Sequence, residues 1–195
     1  MTKIIWIDLD EVLAETIDFS LLFHDYKIAG NSLFREDIID YYIYNIEKFW
    51  ISKEQAIDWF RLPLLADNKL EVNPVLWALE KLIFHKNNWY SFKIVTARQS
   101  EILWEYTHNW VQKHYPNIFE NILFANHKFT KNDVTKSELC KLHNIEMMVE
   151  DNFEYALDLA ENGIYTFLIE KPWNKHFQIY HPNLKRVSSW GEIVF

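Results

Sequence analysis

The run KIIWIDLDEVLAE, residues 3–15, carries apolar side chains straight into Asp8, Asp10 and Glu11. KIIWIDLD is rich in β-branched and bulky residues and too short for a helix, so it reads as a first, central strand. On an extended chain residues i and i+2 point to the same face, whereas a helix would turn them about 200° apart. Asp8 and Asp10 can therefore share a site where the strand ends. Like charges that close repel, and burying each without a counter-ion costs roughly several kcal/mol. Something positive should sit there.

The same signature returns twice. SFKIVTA is a second strong strand, closed by Thr96, Ala97 and Arg98, and IEMMVED is a buried strand that ends in Glu150 and Asp151. NILFAN is a shorter strand candidate, and IYTFLIE and KRVSS follow later. Helical patterns lie between them: about Ser100 to His114, with Pro116 helping to terminate it, TKSELCKLH capped by Thr135 with Glu138 in the box position, and FEYALDLAEN stopping at Gly163. Strands alternating with helices imply an α/β fold, a Rossmann-like open parallel sheet with right-handed crossovers, in which ligands sit beyond the carboxyl ends of the strands. Three strand ends, each bearing polar residues, thus converge on one edge. A hard divalent cation such as Mg²⁺, bound by carboxylate and carbonyl oxygens, would relieve the repulsion among Asp8, Asp10, Glu150 and Asp151.

From Ala14 to about Lys86 the pattern is helical instead. DIIDYYIYNIEKFW repeats apolar residues at helical spacing, SKEQAIDWFRLPLL opens on Ser52 as N-cap with Gln55 at the box position, and NPVLWALEKLIFHK has Asn73 as cap and Pro74 in its first turn. The expected organisation is a sheet core over residues 1–14 and 88–195 with a small helical cap, residues 15–87, inserted after the first strand. The aromatic run of the insert can wall a nucleotide base; at helical spacing it equally suits the insert's own core. Asp151 reads as a credible N-cap for the helix after Asn152.

At 195 residues, 49% of them hydrophobic and 17% aromatic, the chain suits one ordered domain with at most a small insert. A formal charge of −8 argues against a nucleic-acid duplex or an anionic membrane as partner, so an anionic small substrate needs a local positive site. The single cysteine, Cys140, excludes an intramolecular disulfide and reads as a buried small hydrophobe. With no cationic leader before an apolar run and no apolar segment of about 20 residues, a cytoplasmic location is expected. His108 and His114 lack zinc-site spacing, and three glycines leave no room for a dinucleotide fingerprint or P-loop. Nothing in the residues assigns an oligomeric state.

The order and spacing of these strand ends resemble the haloacid dehalogenase (HAD) superfamily of phosphatases across nearly the whole chain. WIDLDEVLA is similar to its first motif, IVTAR to the second with Thr96 as the hydroxyl residue, TKSELC to the third with Lys136, and MMVEDN to the fourth, an acidic pair. Within the superfamily LDEVLAE, the helical insert, VTAR, and EDN followed by KPWNK resemble the 5′(3′)-deoxyribonucleotidase-like branch. Two positions depart from the pattern: the residue after the second Asp, often Gly, is Glu11, and the usual Asp-Asp pair is Glu150-Asp151.

The resemblance implies Asp8 as nucleophile forming an aspartyl-phosphate, and Asp10 as the acid and base that protonates the leaving alkoxide and then activates water. Mg²⁺ would be held by Asp8, Asp151 and the Asp10 carbonyl, with Glu150 direct or through water. Thr96 and backbone N–H groups around Leu9, Asp10 and Ala97 would hold phosphoryl oxygens, and Lys136 would neutralise Asp8 and the phosphate. Arg98 either reaches phosphate or pairs with a nearby acid; Lys131 and Lys141 read as surface charges. The expected activity is Mg²⁺-dependent hydrolysis of a small phosphate monoester, a nucleoside 5′-monophosphate on resemblance. The rivals are a binding or regulatory protein of the same fold, and a sugar-phosphate phosphatase or phosphotransferase.

Overall fold

The computed structural model describes residues 3–67, 70–125 and 135–195; Asn126, at the end of the shortest strand candidate, and Lys131 lie outside them. Along the chain come β1 (Lys3–Ile7), α1 (Thr16–Phe23), the two-residue strands β2 (Lys27–Ile28) and β3 (Asn31–Ser32), α2 (Lys53–Leu65), α3 (Ala78–Lys86), β4 (Tyr90–Thr96), α4 (Ser100–His114), β5 (Phe119–Phe124), α5 (Lys136–Leu142), β6 (Met147–Glu150), α6 (Phe153–Glu161), β7 (Tyr165–Ile169) and β8 (Leu184–Val187). Six strands form one sheet in the order β5-β4-β1-β6-β7-β8, and every pairing in it is parallel. The chain fills one side of β1 with β4 and β5 and then crosses to fill the other. Strand order reverses at β1, the position at which an open α/β sheet leaves a crevice beyond its strand ends.

β1 is buried on both faces because its alternate residues enter different cores. Ile5 and Ile7 join the large cluster with Phe92, Ile94 and Trp110, while Trp6 packs with Val95, Met148 and Cys140 on the opposite side. Cys140 is a buried small hydrophobe, as its composition context suggests.

The insert has its own apolar cluster, which includes Ile17, Leu21, Ile38, Ile43, Phe49 and Trp59, and Trp173 from the loop after β7 reaches into it. α2 starts as the sequence predicts: Ser52 Oγ accepts Gln55 N at 3.2 Å and Gln55 Oε1 accepts Ser52 N at 2.8 Å. The helix expected over DIIDYYIYNIEKFW does not form. Two short 3-10 turns, Ile43–Asn45 and Glu47–Phe49, take its place, and a third, Arg35–Asp37, ends on its first residue. β-branched and aromatic residues support a helix poorly, and the Asp40 side chain accepts Tyr42 N at 2.8 Å, offering the backbone a turn instead. Isoleucines 38, 43 and 46 still reach the insert's core.

α3 begins later than Asn73 and Pro74 suggest. That segment is extended beside the chain after β1: Glu15 N donates to Asn73 O at 2.9 Å and Val75 N to Leu13 O at 2.8 Å. Val72, Ala78 and Leu82 pack in the large cluster with the sheet, inside the range expected for the insert. α6 is capped by Asn152, whose Oδ1 accepts Tyr155 N at 3.0 Å, and not by Asp151, which is thereby left for the strand ends. Among the described residues no helix is long and apolar enough to cross a membrane.

Candidate active site

β1, β4 and β6 lie side by side, so Asp8, Thr96 and Glu150 leave the sheet at one edge. The ladder continues one step past β1, with Asp8 N donating to Val149 O at 3.0 Å. α5 delivers the cation expected there. Thr135 caps this helix in the predicted box with Glu138, and Lys136, its first residue, is buried with Nζ 2.7 Å from Asp8 Oδ1 and 2.7 Å from Glu150 Oε2. Nζ also lies 5.1 Å from the centre of the Tyr155 ring.

Asp8, Glu150 and Asp151 each offer a carboxylate oxygen within 4.8 Å of the others, all three buried. Lys136 bonds two of the three carboxylates, Asp8 and Glu150, while Lys171 acts on Asp151 from farther off. Burial and the neighbouring Glu150 push Asp8 up to about 8, although Lys136 opposes them. Burial, then Glu150, Asp8 and Glu11, also hold Asp151 well above the usual carboxylate range. Lys136, which burial alone would lower, is raised by Asp8 and Glu150. Asp8 and Asp151 stay raised despite Lys136 and Lys171, so the cluster is still short of positive charge, and an all-oxygen set suits a hard divalent cation. Glu150 is already engaged: beyond Lys136, its Oε1 accepts Asp151 N at 3.2 Å and Asn152 N at 3.1 Å.

Asp10 stands apart from that trio. Arg98 forks its carboxylate, with Nη2 2.7 Å from Oδ1 and Nε 3.1 Å from Oδ2, and Thr16 Oγ1 donates to Oδ1 at 2.5 Å. Burial pushes this carboxyl up, but the guanidinium and the Thr16 bond outweigh it and hold it below its usual value. Arg98 thus pairs with an acid, the second of the two outcomes open to it in the sequence. Thr96 is fully buried, and its Oγ1 accepts Arg98 N at 3.2 Å.

The turn after Asp10 is made without glycine. Glu11 sits at φ +63°, a left-handed conformation that costs a residue with a Cβ roughly 1–2 kcal/mol. Its carboxylate is bound on all sides: Oε1 accepts Ile17 N at 2.7 Å, and Oε2 lies 2.5 Å from Arg35 Nη2 and 3.5 Å from Lys171 Nζ. Sequence reasoning missed these partners, and it missed the loop that holds Asp151. Trp173 Nε1 donates to Asp151 Oδ2 at 3.0 Å, and Asn174 Nδ2 donates to the Asp151 carbonyl at 2.7 Å. The signal in the sequence was KPWNK, which entered as part of the resemblance and named no partner for Asp151.

Above these groups lies a cavity of about 240 Å³. Asp10, Glu11, Arg98 and Asp151 border it on the sheet side, and Tyr41, Tyr42, Tyr44, Ile43 and Phe60 of the insert line it from above. Of the clustered carboxylates Asp151 alone reaches this lining, so the cavity opens beside the cluster, with Asp10, Glu11, Arg61 and Arg98 as its other charged residues.

No family model matches the chain. A nucleotidase of Clostridium acetobutylicum is 25% identical over 193 residues, covering 97% of this chain and 90% of that protein. Among solved structures, a predicted phosphoglycolate phosphatase of Haemophilus somnus superposes with a TM-score of 0.62 at 12% identity, covering 97% and 95% of the two chains. The CbbY protein of Rhodobacter sphaeroides in complex with phosphate gives 0.60 at 13%, covering 98% and 96%. A HAD-superfamily hydrolase of Ehrlichia chaffeensis gives 0.55 at 17%, covering 98% and 94%. The chain therefore has the HAD-like fold.

Proposed function

We propose that the protein is a Mg²⁺-dependent phosphomonoesterase of the HAD type whose substrates are nucleoside 5′-monophosphates. The observation that carries this is the ion-paired cluster of Asp8, Lys136, Glu150 and Asp151 at the sheet edge beside an aromatic-walled cavity. The Asp8 and Asp151 carboxylates suit Mg²⁺, with the Asp10 carbonyl as the further oxygen that the resemblance implies, and there the ion would supply charge neutralisation of the phosphoryl group. Glu150, with both oxygens occupied, is assigned to holding Lys136 rather than to direct ligation.

Asp8 attacks phosphorus in line, forming a bond from its carboxylate oxygen to phosphorus while the ester oxygen leaves. Asp10 gives a proton to that oxygen and later takes one from the water that releases phosphate from Asp8. Lys136 steadies the charge on Asp8 before attack and on the phosphoryl oxygens after it, and Thr96 with the N–H groups around Leu9, Asp10 and Ala97 supplies further donors. The insert acts as a cap that excludes water and selects the leaving group. We place its end near residue 72, short of 87, because Val72, Ala78 and Leu82 belong to the sheet's core.

The wall suits a flat base: Tyr41, Ile43, Tyr44 and Phe60 offer apolar faces for stacking, while Arg61 and Gln99 at the same cavity can hydrogen-bond to its edge. The similarity to a nucleotidase supports the same choice. The test is phosphate release from a panel of nucleoside 5′-monophosphates, sugar phosphates and phosphoglycolate, with and without Mg²⁺. Mg²⁺-dependent release with the highest kcat/KM on nucleotides is expected. Well-folded protein that releases phosphate from no member would reject the enzymatic reading, and preference for a sugar phosphate would reject the substrate class.

A further inference from the structure

The bonds to Asp10 fall unevenly on its two oxygens. Oδ1 accepts Thr16 Oγ1 at 2.5 Å, Arg98 Nη2 at 2.7 Å and Arg98 Nε at 3.2 Å, whereas Oδ2 accepts Arg98 Nε at 3.1 Å and no other side chain among the described residues. The Asp10 side chain is 34% exposed against 4% for Arg98, so the carboxylate keeps an open edge at the cavity while its anchor is buried. That anchor is itself fixed. Arg98 Nη1 donates to Thr107 Oγ1 of α4 at 3.2 Å, its backbone N donates to Thr96 Oγ1, and its guanidinium lies 5.8 Å from the centre of the Tyr106 ring. A guanidinium fork is planar and permanently charged, so it sets the plane of a carboxylate as an ammonium cannot. Thr16, the first residue of α1, is buried and clasps the same oxygen from the insert's side.

We propose that Arg98 and Thr16 are positioning residues for proton transfer, tying down Oδ1 so that Oδ2 alone exchanges protons with the leaving oxygen and then with water. This deepens the phosphomonoesterase reading and rests on it. As the bond from Asp8 to phosphorus forms and the bond from phosphorus to the ester oxygen breaks, the proton that the preceding hydrolytic step leaves on Oδ2 passes to that oxygen, giving the alcohol and the Asp10 carboxylate. Oδ2 then takes a proton from water as the water oxygen bonds to phosphorus and the Asp8–phosphorus bond breaks, which returns Asp8 and the acid form of Asp10. A carboxylate free to turn would offer either oxygen in a range of directions, and misplacement by about 1 Å is enough to cost on the order of 10²-fold in rate.

The test is a leaving-group series, from 4-nitrophenyl phosphate, whose phenolate leaves with little protonation, to simple alkyl phosphates, whose alkoxides need a proton. It is read as kcat/KM for wild type, Arg98→Met, Thr16→Val and Thr16→Ser. Arg98→Met and Thr16→Val are expected to lower kcat/KM on the alkyl esters on the order of 10²-fold and on the 4-nitrophenyl ester less than about 10-fold, while Thr16→Ser, which keeps the hydroxyl, stays near wild type. Equal loss across the series, or a Thr16→Ser variant as impaired as Thr16→Val, overturns the assignment. If Arg98→Met does not fold, the two Thr16 variants decide it. Wild type inactive on every ester overturns the phosphomonoesterase reading together with this one, whereas an active wild type with uniform losses in the variants overturns only this one.

Discussion

Lys136 faces more negative charge than it can neutralise, and this sets opposite expectations for the two ends of its bond to Asp8. Replacing it by Met leaves Asp8 and Glu150 buried without their counter-ion; loss of one partner of a buried pair costs about 3–5 kcal/mol, so Lys136→Met is expected to unfold at markedly lower denaturant than wild type. Asp8→Asn removes a crowded acid and leaves Lys136 its Glu150 partner. Its sign follows from linkage. Asp8 is raised from the usual 3.8 to about 8, so between those values the folded protein holds a proton that the unfolded chain releases, and stability falls as pH rises through that window. Without Mg²⁺, Asp8→Asn should match wild type near pH 4 and exceed it increasingly toward pH 8, while phosphate release is abolished. Urea titrations at both pH values check this, and an Asn variant less stable than wild type at pH 8 would contradict it.

At the scale of elements, the sheet and its flanking helices were legible because the signals were local: apolar runs ending in acids, and capping boxes at Ser52 and Thr135. The insert was less so. Its aromatic stretch has helical spacing but folds as 3-10 turns, since spacing does not reveal that Asp40 claims the backbone at Tyr42. Of the site, Asp8 was readable from its place at a strand end and Lys136 only through the resemblance of TKSELC, and their contact at 2.7 Å joins residues 128 apart in sequence. The partners of Glu11, Asp10 and Asp151 were not, because Arg35, Thr16 and Trp173 carry no motif and reach their acids only through tertiary contact. The turn at Glu11 offers a direct check on such a contact. Glu11→Gly relieves a left-handed φ, a gain of about 1 kcal/mol, yet takes from Lys171 and Arg35 their shared buried acid, leaving Arg35 only Asp18, a larger loss by the reckoning for buried pairs. A net fall in thermal midpoint is expected, and a rise would mean that the ion pairs contribute less than the strain costs.

For the whole molecule, the three clustered carboxylates couple folding to pH and to the proposed metal. Asp8 and Asp151 are both raised, so the metal-free protein should lose stability as pH climbs from about 4 toward 8. A divalent cation favours their ionised forms and binds only the folded arrangement, so Mg²⁺ should raise the thermal midpoint at pH 8 and have little effect near pH 4. Thermal scans with EDTA or Mg²⁺ across that range test it, and a Mg²⁺ effect independent of pH would argue against these carboxylates as the ligands.

Trp173 belongs to the loop after β7, yet its ring is housed among the insert's apolar residues while its indole nitrogen grips Asp151. The insert and the sheet are consequently not interchangeable modules. A foreign insert grafted onto this sheet would bring no seat for that indole, and Asp151 would lose its hold even if every residue of the sheet were preserved.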